Sequence, residues 1–124
     1  MNLKQLFVIC SFLLMILFYS GIGQTFQQIN VGLIIDGPWG EENQMSSSIK
    51  KEILDLTTGE FDVQFPNGKT IQGNWDIENI RRNIDQLLLD PQVDIIITLG
   101  SISSSEACYR KDLAKPVIAP YVLD

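Results

Sequence analysis

Two stretches of the chain are apolar on consecutive positions rather than on alternate ones. Val31-Gly32-Leu33-Ile34-Ile35 ends in Asp36, and Val93-Asp94-Ile95-Ile96-Ile97-Thr98-Leu99 ends in Gly100. A strand with almost no polar face has both faces covered, as in a central parallel strand lying under helices. Glu60-Phe61-Asp62-Val63-Gln64-Phe65 alternates polar and apolar. That pattern predicts a strand with one exposed face, near a sheet edge. After the turn signal Pro66-Asn67-Gly68, the segment Lys69–Gln72 reads as a short extension that pairs back. Lys115-Pro116-Val117-Ile118-Ala119-Pro120-Tyr121-Val122 predicts a last strand with prolines at its ends.

Between the strands the apolar period changes from 2 to 3.6. Glu41 to Thr58 predicts a helix, with Met45, Ile49, Ile53 and Leu56 as its stripe, Leu54 beside it and Gly59 as its stop. Asp76 is a good N-cap for a second helix carrying Ile77, Ile80, Ile84, Leu87 and Leu88. Asp90-Pro91 ends that helix, because proline disfavours helical backbone in the residue before it. A third helix is expected from about Ser103 to Lys111. The order β-α-β-α-β-α-β implies right-handed crossovers. The fold class is therefore α/β, a doubly wound parallel sheet of about four strands in the order 2-1-3-4.

The N-terminus departs from this alternation. Lys4 precedes a nearly unbroken apolar run from Leu6 to Tyr19, and Ser20-Gly21-Ile22-Gly23 supplies small residues before Gln24. Basic start, apolar run and small-residue end make residues 1–23 a secretory signal peptide, the run being short for a bilayer span. Residues 24–124 then form one α/β lobe in the periplasm or at the periplasmic side of an outer membrane. The apolar strand Val117 to Val122 lies just before Asp124 and expects cover on both faces. The lobe is thus read as an incomplete piece of a longer protein, marginally stable when isolated.

Composition narrows the chemistry. The chain of 124 residues holds 15 acidic and 9 basic side chains, a formal charge of −6. No basic patch interleaved with aromatics is present, so nucleic acid is not an expected partner. Histidine is absent, which removes Ser-His and Cys-His nucleophile pairs and histidine-containing zinc sites. Of the two cysteines, Cys10 lies in the leader and leaves Cys108 without an intramolecular partner. Cys108 is expected to be a buried, inert thiol facing the sheet. No cofactor, no metal site and no enzymatic activity are expected.

Candidate chemistry gathers where strands meet loops. In open α/β sheets, ligands sit outside the carboxyl ends of the strands. Asp36-Gly37-Pro38-Trp39 follows the first strand, and Gly100-Ser101-Ile102-Ser103-Ser104-Ser105 joins the third strand to a helix. Backbone N–H groups at that helix start and the serine hydroxyls suit a carboxylate, phosphate or polyol. Asp36 offers acceptors and Trp39 a stacking face. The bland alternatives are that Asp36 caps a loop, Trp39 lids the sheet edge, and Gly100 with its serines merely starts a helix. Gly37 and Gly40 lack the G-x-G-x-x-G spacing of a dinucleotide site. Glu41 and Glu42 read as a solvated helix start that favours negative charge. A phospho-acceptor receiver is disfavoured, because it needs an acidic pair after the first strand and an aspartate where Gly100 stands.

Taken together, Val31–Asp36 with its loop, Val93–Gly100 leading into Ser101–Ala107, and Lys115-Pro116-Val117-Ile118-Ala119-Pro120 resemble a known family over residues 31–122. It is the first lobe of periplasmic-binding-protein-like domains of the ABC-transporter substrate-binding type. More narrowly, Asp36-Gly37-Pro38-Trp39, Phe61-Asp62-Val63-Gln64-Phe65-Pro66 and Pro116–Asp124 look similar to the leading domain of some TolC-type outer-membrane efflux proteins. The resemblance implies ligand-lining positions at Asp36, Gly37, Trp39, Gly100, Ser101 and Ser103. It implies membrane transport components, and in one reading a small-molecule ligand, as partners. The chain departs from the pattern in lacking a second lobe and a helical barrel. Two functions follow: an interaction domain on an efflux channel, or a solute-binding component of an importer.

Overall fold

The computed structural model describes residues 26–38 and 44–121. The expected leader over 1–23, Trp39, the helix start at Glu41 and Glu42, and the strand end at Val122 lie outside those residues. Strand β1 spans Gln27–Ile35 and helix α1 spans Gln44–Thr57. Strands β2 (Phe61–Gln64) and β3 (Thr70–Gln72) follow, then helix α2 (Ile77–Leu89). Strand β4 (Ile95–Leu99), helix α3 (Ser101–Cys108) and strand β5 (Val117–Ile118) complete the order. Among the described residues no helix is long and apolar enough to cross a membrane.

The protein is α/β, and the main path of its sheet runs β2-β1-β4-β5. Every pairing in it is parallel. The fifth strand, β3, is the departure from the expected four. It pairs with β1 in parallel at Leu33↔Thr70 and does not fold back as a hairpin. The register explains why. Gln27 faces Phe61 and Leu33 faces Thr70, so the edge chain advances nine residues while β1 advances six. The surplus forms an excursion at Pro66–Lys69, closed by the Lys69 amide donating to the Pro66 carbonyl at 3.2 Å. The Leu33 amide then donates to the Lys69 carbonyl at 2.8 Å and returns the chain to the edge of β1. β2 and β3 are one edge strand with an interruption.

β1 also starts four residues earlier than its apolar run. Its polar opening, Gln27 to Asn30, is held by backbone pairing to Phe61–Gln64, which requires no buried side chain. Asp94 anchors it, accepting from the Asn30 amide at 2.8 Å. β5 corrects the expectation in the other direction. From Lys115 to Pro120 half-buried and exposed positions alternate, and Ile118 is 51% exposed. The segment is therefore not covered on both faces. Pro116 and Pro120 lack the N–H that a longer ladder needs, a pattern proper to edge strands.

Two apolar layers flank the sheet. On one face Ile34 and Ile96 meet Ile80, Ile84, Leu87 and Leu88 of α2 and Ala107 of α3. On the other, Val31, Leu33, Ile35, Val63, Ile97 and Leu99 pack together, with Ile49 and Ile53 of α1 against them. Helices on both faces match the consecutive apolar positions of β1 and β4. α1 departs from its expected stripe at Leu56, which is 74% exposed. α3 begins at Ser101 rather than near Ser103 and turns Ser103, Ser104 and Ala107 inward. Cys108, expected to be buried against the sheet, is instead free and exposed. It lies about 40° further round the helix than Ser104, at 3.6 residues per turn.

Candidate functional site

The strand order reverses between β1 and β4, since β2 lies to one side of β1 and β4 to the other. Such a switch point opens a crevice at the carboxyl ends of the two strands. Asp36 ends β1 there and Gly100 ends β4. The structure brings Asp36, Gly37, Gly100, Ser101 and Ser103 together at this crevice, while Trp39 lies outside the described residues.

The crevice is closed by the protein's own carboxylate. Asp36 is fully buried. Its Oδ2 accepts from the Ile102 amide at 2.8 Å, and its Oδ1 accepts from the Ser103 amide at 2.8 Å. These are the first-turn N–H groups of α3, which have no partner within the helix. An aspartate 67 residues earlier in the chain thus does the work of an N-cap side chain, while Gly100 at the cap position itself supplies none. The negative charge also sits at the positive end of the helix dipole. The two first-turn amides thus bind a carboxylate, and it is the protein's own.

Gly100 makes that approach possible. Its φ is +144°, and a Cβ built on it would overlap the Asp36 carboxylate. A side chain at position 100 would therefore be excluded by backbone conformation and by space. The main chain of Asp36 is tied down as well. Its amide donates to the Leu99 carbonyl at 3.2 Å and its carbonyl accepts from the Trp75 amide at 2.6 Å.

Of the serines expected to face a ligand, Ser101 is half-buried and Ser103 turns inward, as does its neighbour Ser104. Ser103 Oγ donates to the Gly100 carbonyl at 3.4 Å. Ser104 Oγ lies 3.0 Å from Thr98 Oγ1, which is 3.3 Å from the Ile118 carbonyl; the Tyr121 amide lies 3.4 Å from Ser104 Oγ. An amide can only donate and a carbonyl can only accept. The protons therefore run one way, from Tyr121 N–H to Ser104, from Ser104 to Thr98, and from Thr98 to the Ile118 carbonyl. This relay stitches the segment after β5 to β4 and α3. Among the described residues every buried side-chain polar atom has a partner, and no acidic or cysteine cluster could hold a metal.

One exposed group at the crevice was missed in the sequence. Trp75 is 50% exposed and its ring lies against Gly37, where a Cβ would overlap the indole. Asn74 and Trp75 have φ of 54° and 60°, a left-handed conformation that is uncommon and strained for a bulky residue. The signal was present in Gly73-Asn74-Trp75-Asp76, between a strand and a helix cap. The expected hairpin hid it, because only a β3 parallel to β1 brings Trp75 to the same end of the sheet as Asp36. Comparison of the chain with protein-family models, with curated proteins and with solved structures finds no match in any of the three.

Proposed function

We propose that the chain is an exported, non-catalytic α/β interaction domain of a transport assembly, like the domain that leads some TolC-type outer-membrane efflux proteins. The observation that carries this reading over solute binding is the Asp36 carboxylate on the Ile102 and Ser103 amides. A solute with an anionic group would have to displace a buried, doubly hydrogen-bonded carboxylate to use that helix end. The alternative, a solute-binding component of an ABC-type importer, is favoured by one observation: the half-exposed Trp75 ring beside Gly37.

Two measurements, one in the host cell and one on the purified protein, separate these readings. Cross-linking in intact cells is expected to join the domain to outer-membrane transport components. Titration with amino acids, sugars and inorganic phosphate is expected to leave tryptophan fluorescence and Tm unchanged. A saturable fluorescence change that Trp75→Ala abolishes would overturn the interaction reading in favour of solute binding.

A further inference from the structure

We propose that the Asn67-Gly68 turn is a spontaneous modification site, at which the folded protein converts Asn67 through a succinimide into aspartate and isoaspartate. Three features of the turn converge. The residue after Asn67 is glycine, so no side chain shields the backbone nitrogen that must attack. Both residues are exposed, and a Cβ at Gly68 would meet nothing within 4 Å. The turn's closing bond runs from the Lys69 amide to the Pro66 carbonyl, and among the described residues the Gly68 N–H donates to no acceptor. Gly68 has φ +75°, which matches the third residue of a type II turn, a place whose N–H the turn does not use.

The chemistry needs only water. The Gly68 nitrogen loses its proton and attacks Asn67 Cγ, forming a C–N bond. The Cγ–NH2 bond breaks and ammonia leaves, giving the five-membered imide. Water then adds to either imide carbonyl. Opening at one side yields aspartate; opening at the other yields isoaspartate, in which the main chain runs through the side-chain carbon. Both products carry a carboxylate, so the modified protein is one unit more negative than the formal −6.

The position gives the reaction a structural consequence. The turn is the excursion between two stretches of edge strand whose registers on β1 are fixed. Isoaspartate adds a backbone atom inside that excursion. The new charge appears two residues from Lys69, whose ammonium pairs with Asp90. Among the described residues the other asparagines lack the geometry: Asn30 precedes Val31 within β1. Asn74, Asn79 and Asn83 precede Trp75, Ile80 and Ile84, and the last two lie within α2.

The test is incubation of the exported full-length protein at neutral and mildly alkaline pH, folded and in urea, followed by tryptic mass spectrometry. The peptide of residues 52–69 contains Asn67 as its single asparagine. It is expected to gain the mass of an NH2-to-OH exchange several-fold faster than peptides carrying Asn74, Asn79 or Asn83. The gain should rise with pH and proceed in the folded protein about as fast as in urea. Isoaspartyl methyltransferase should label the product, and Asn67→Gln, with circular dichroism matching the parent, should abolish it. Conversion in urea but not in the folded protein would show that the fold protects the turn and would overturn the proposal. So would conversion at Asn67 no faster than at the other asparagines.

Discussion

At position 100, one missing side chain decides the architecture of the crevice. Gly100 combines a positive φ with contact against a buried carboxylate. Gly100→Ala should therefore destabilise the fold by roughly 2–4 kcal/mol, from positive-φ strain and overpacking together. Asp36→Ala should cost about as much, because it strands a buried and a half-buried amide; Asp36→Asn, which keeps one acceptor oxygen, should cost less. Urea denaturation of the three variants checks the order, and an Asp36→Ala protein as stable as the parent would refute the internal cap. The co-location of Asp36, Gly37, Gly100, Ser101 and Ser103 was legible, because parallel strands bring their carboxyl ends together. That the carboxylate and the amides would satisfy each other was not, since nothing local links residues 66 and 67 positions apart. Cys108 was misread for a narrower reason: α3 buries Ser103, Ser104 and Ala107, and Cys108 ends the helix on its exposed side. It is expected to react with an aromatic disulfide reagent in the native protein nearly as fast as in urea.

Among the elements, legibility followed how completely each is buried. α2 matches its sequence at Ile80, Ile84, Leu87 and Leu88, which turn inward, while Ile77, expected in the same stripe, is 42% exposed at the first turn. Its N-cap is also as read: the Asp76 carboxylate accepts from the Asn79 amide at 2.7 Å. Asp76→Ala should cost about 1 kcal/mol. The end of α2 at Asp90 is as read too, but the cations that meet it were not legible, because they come from residues just ahead of β3 and β5. The Lys69 ammonium pairs with the Asp90 side chain, while the Lys115 ammonium donates to the Leu87 and Asp90 carbonyls. Two cations thus sit where the helix dipole is negative. The hydrogen bond from Lys69, then that from the Gln92 amide, holds the Asp90 carboxyl below its ordinary value of 3.8. A lowered folded-state pKa contributes stability that is present above the unfolded value and lost as pH falls through the folded one. Asp90→Asn should therefore flatten the acid limb of the stability–pH profile below about pH 4, leaving the slope near neutrality unchanged. An unaltered acid limb in thermal scans from pH 2 to 7 would remove Asp90 from that role.

Across the whole molecule, the two faces of the sheet are unequally built. α2 and α3 cover one face together and are clipped to each other by charge. Arg81 pairs with Glu78 and Glu106, and the Arg110 guanidinium pairs with Asp85 while donating to the Arg81 carbonyl at 3.0 Å. Beneath that clip Ile80, Ile84 and Leu87 are fully buried. The opposite face has α1, whose one buried residue among those described is Ser46. Ile49 and Ile53 reach the apolar layer only in part. Leu54 and Leu56 stay exposed. Segments with few buried apolar contacts open at lower free energy than the core. Native-state hydrogen exchange should accordingly release α1 amides through local opening, well before those of α2 and β4, which should exchange near the global unfolding limit. Substitution should show the same bias. Ile84→Ala should cost about 2–5 kcal/mol, the range for emptying a closed core site, and Ile53→Ala distinctly less, because its site already borders solvent. Equal protection of α1 and α2, with equal losses from the two substitutions, would show that the domain opens as a single unit and that the asymmetry of its burial has no energetic consequence.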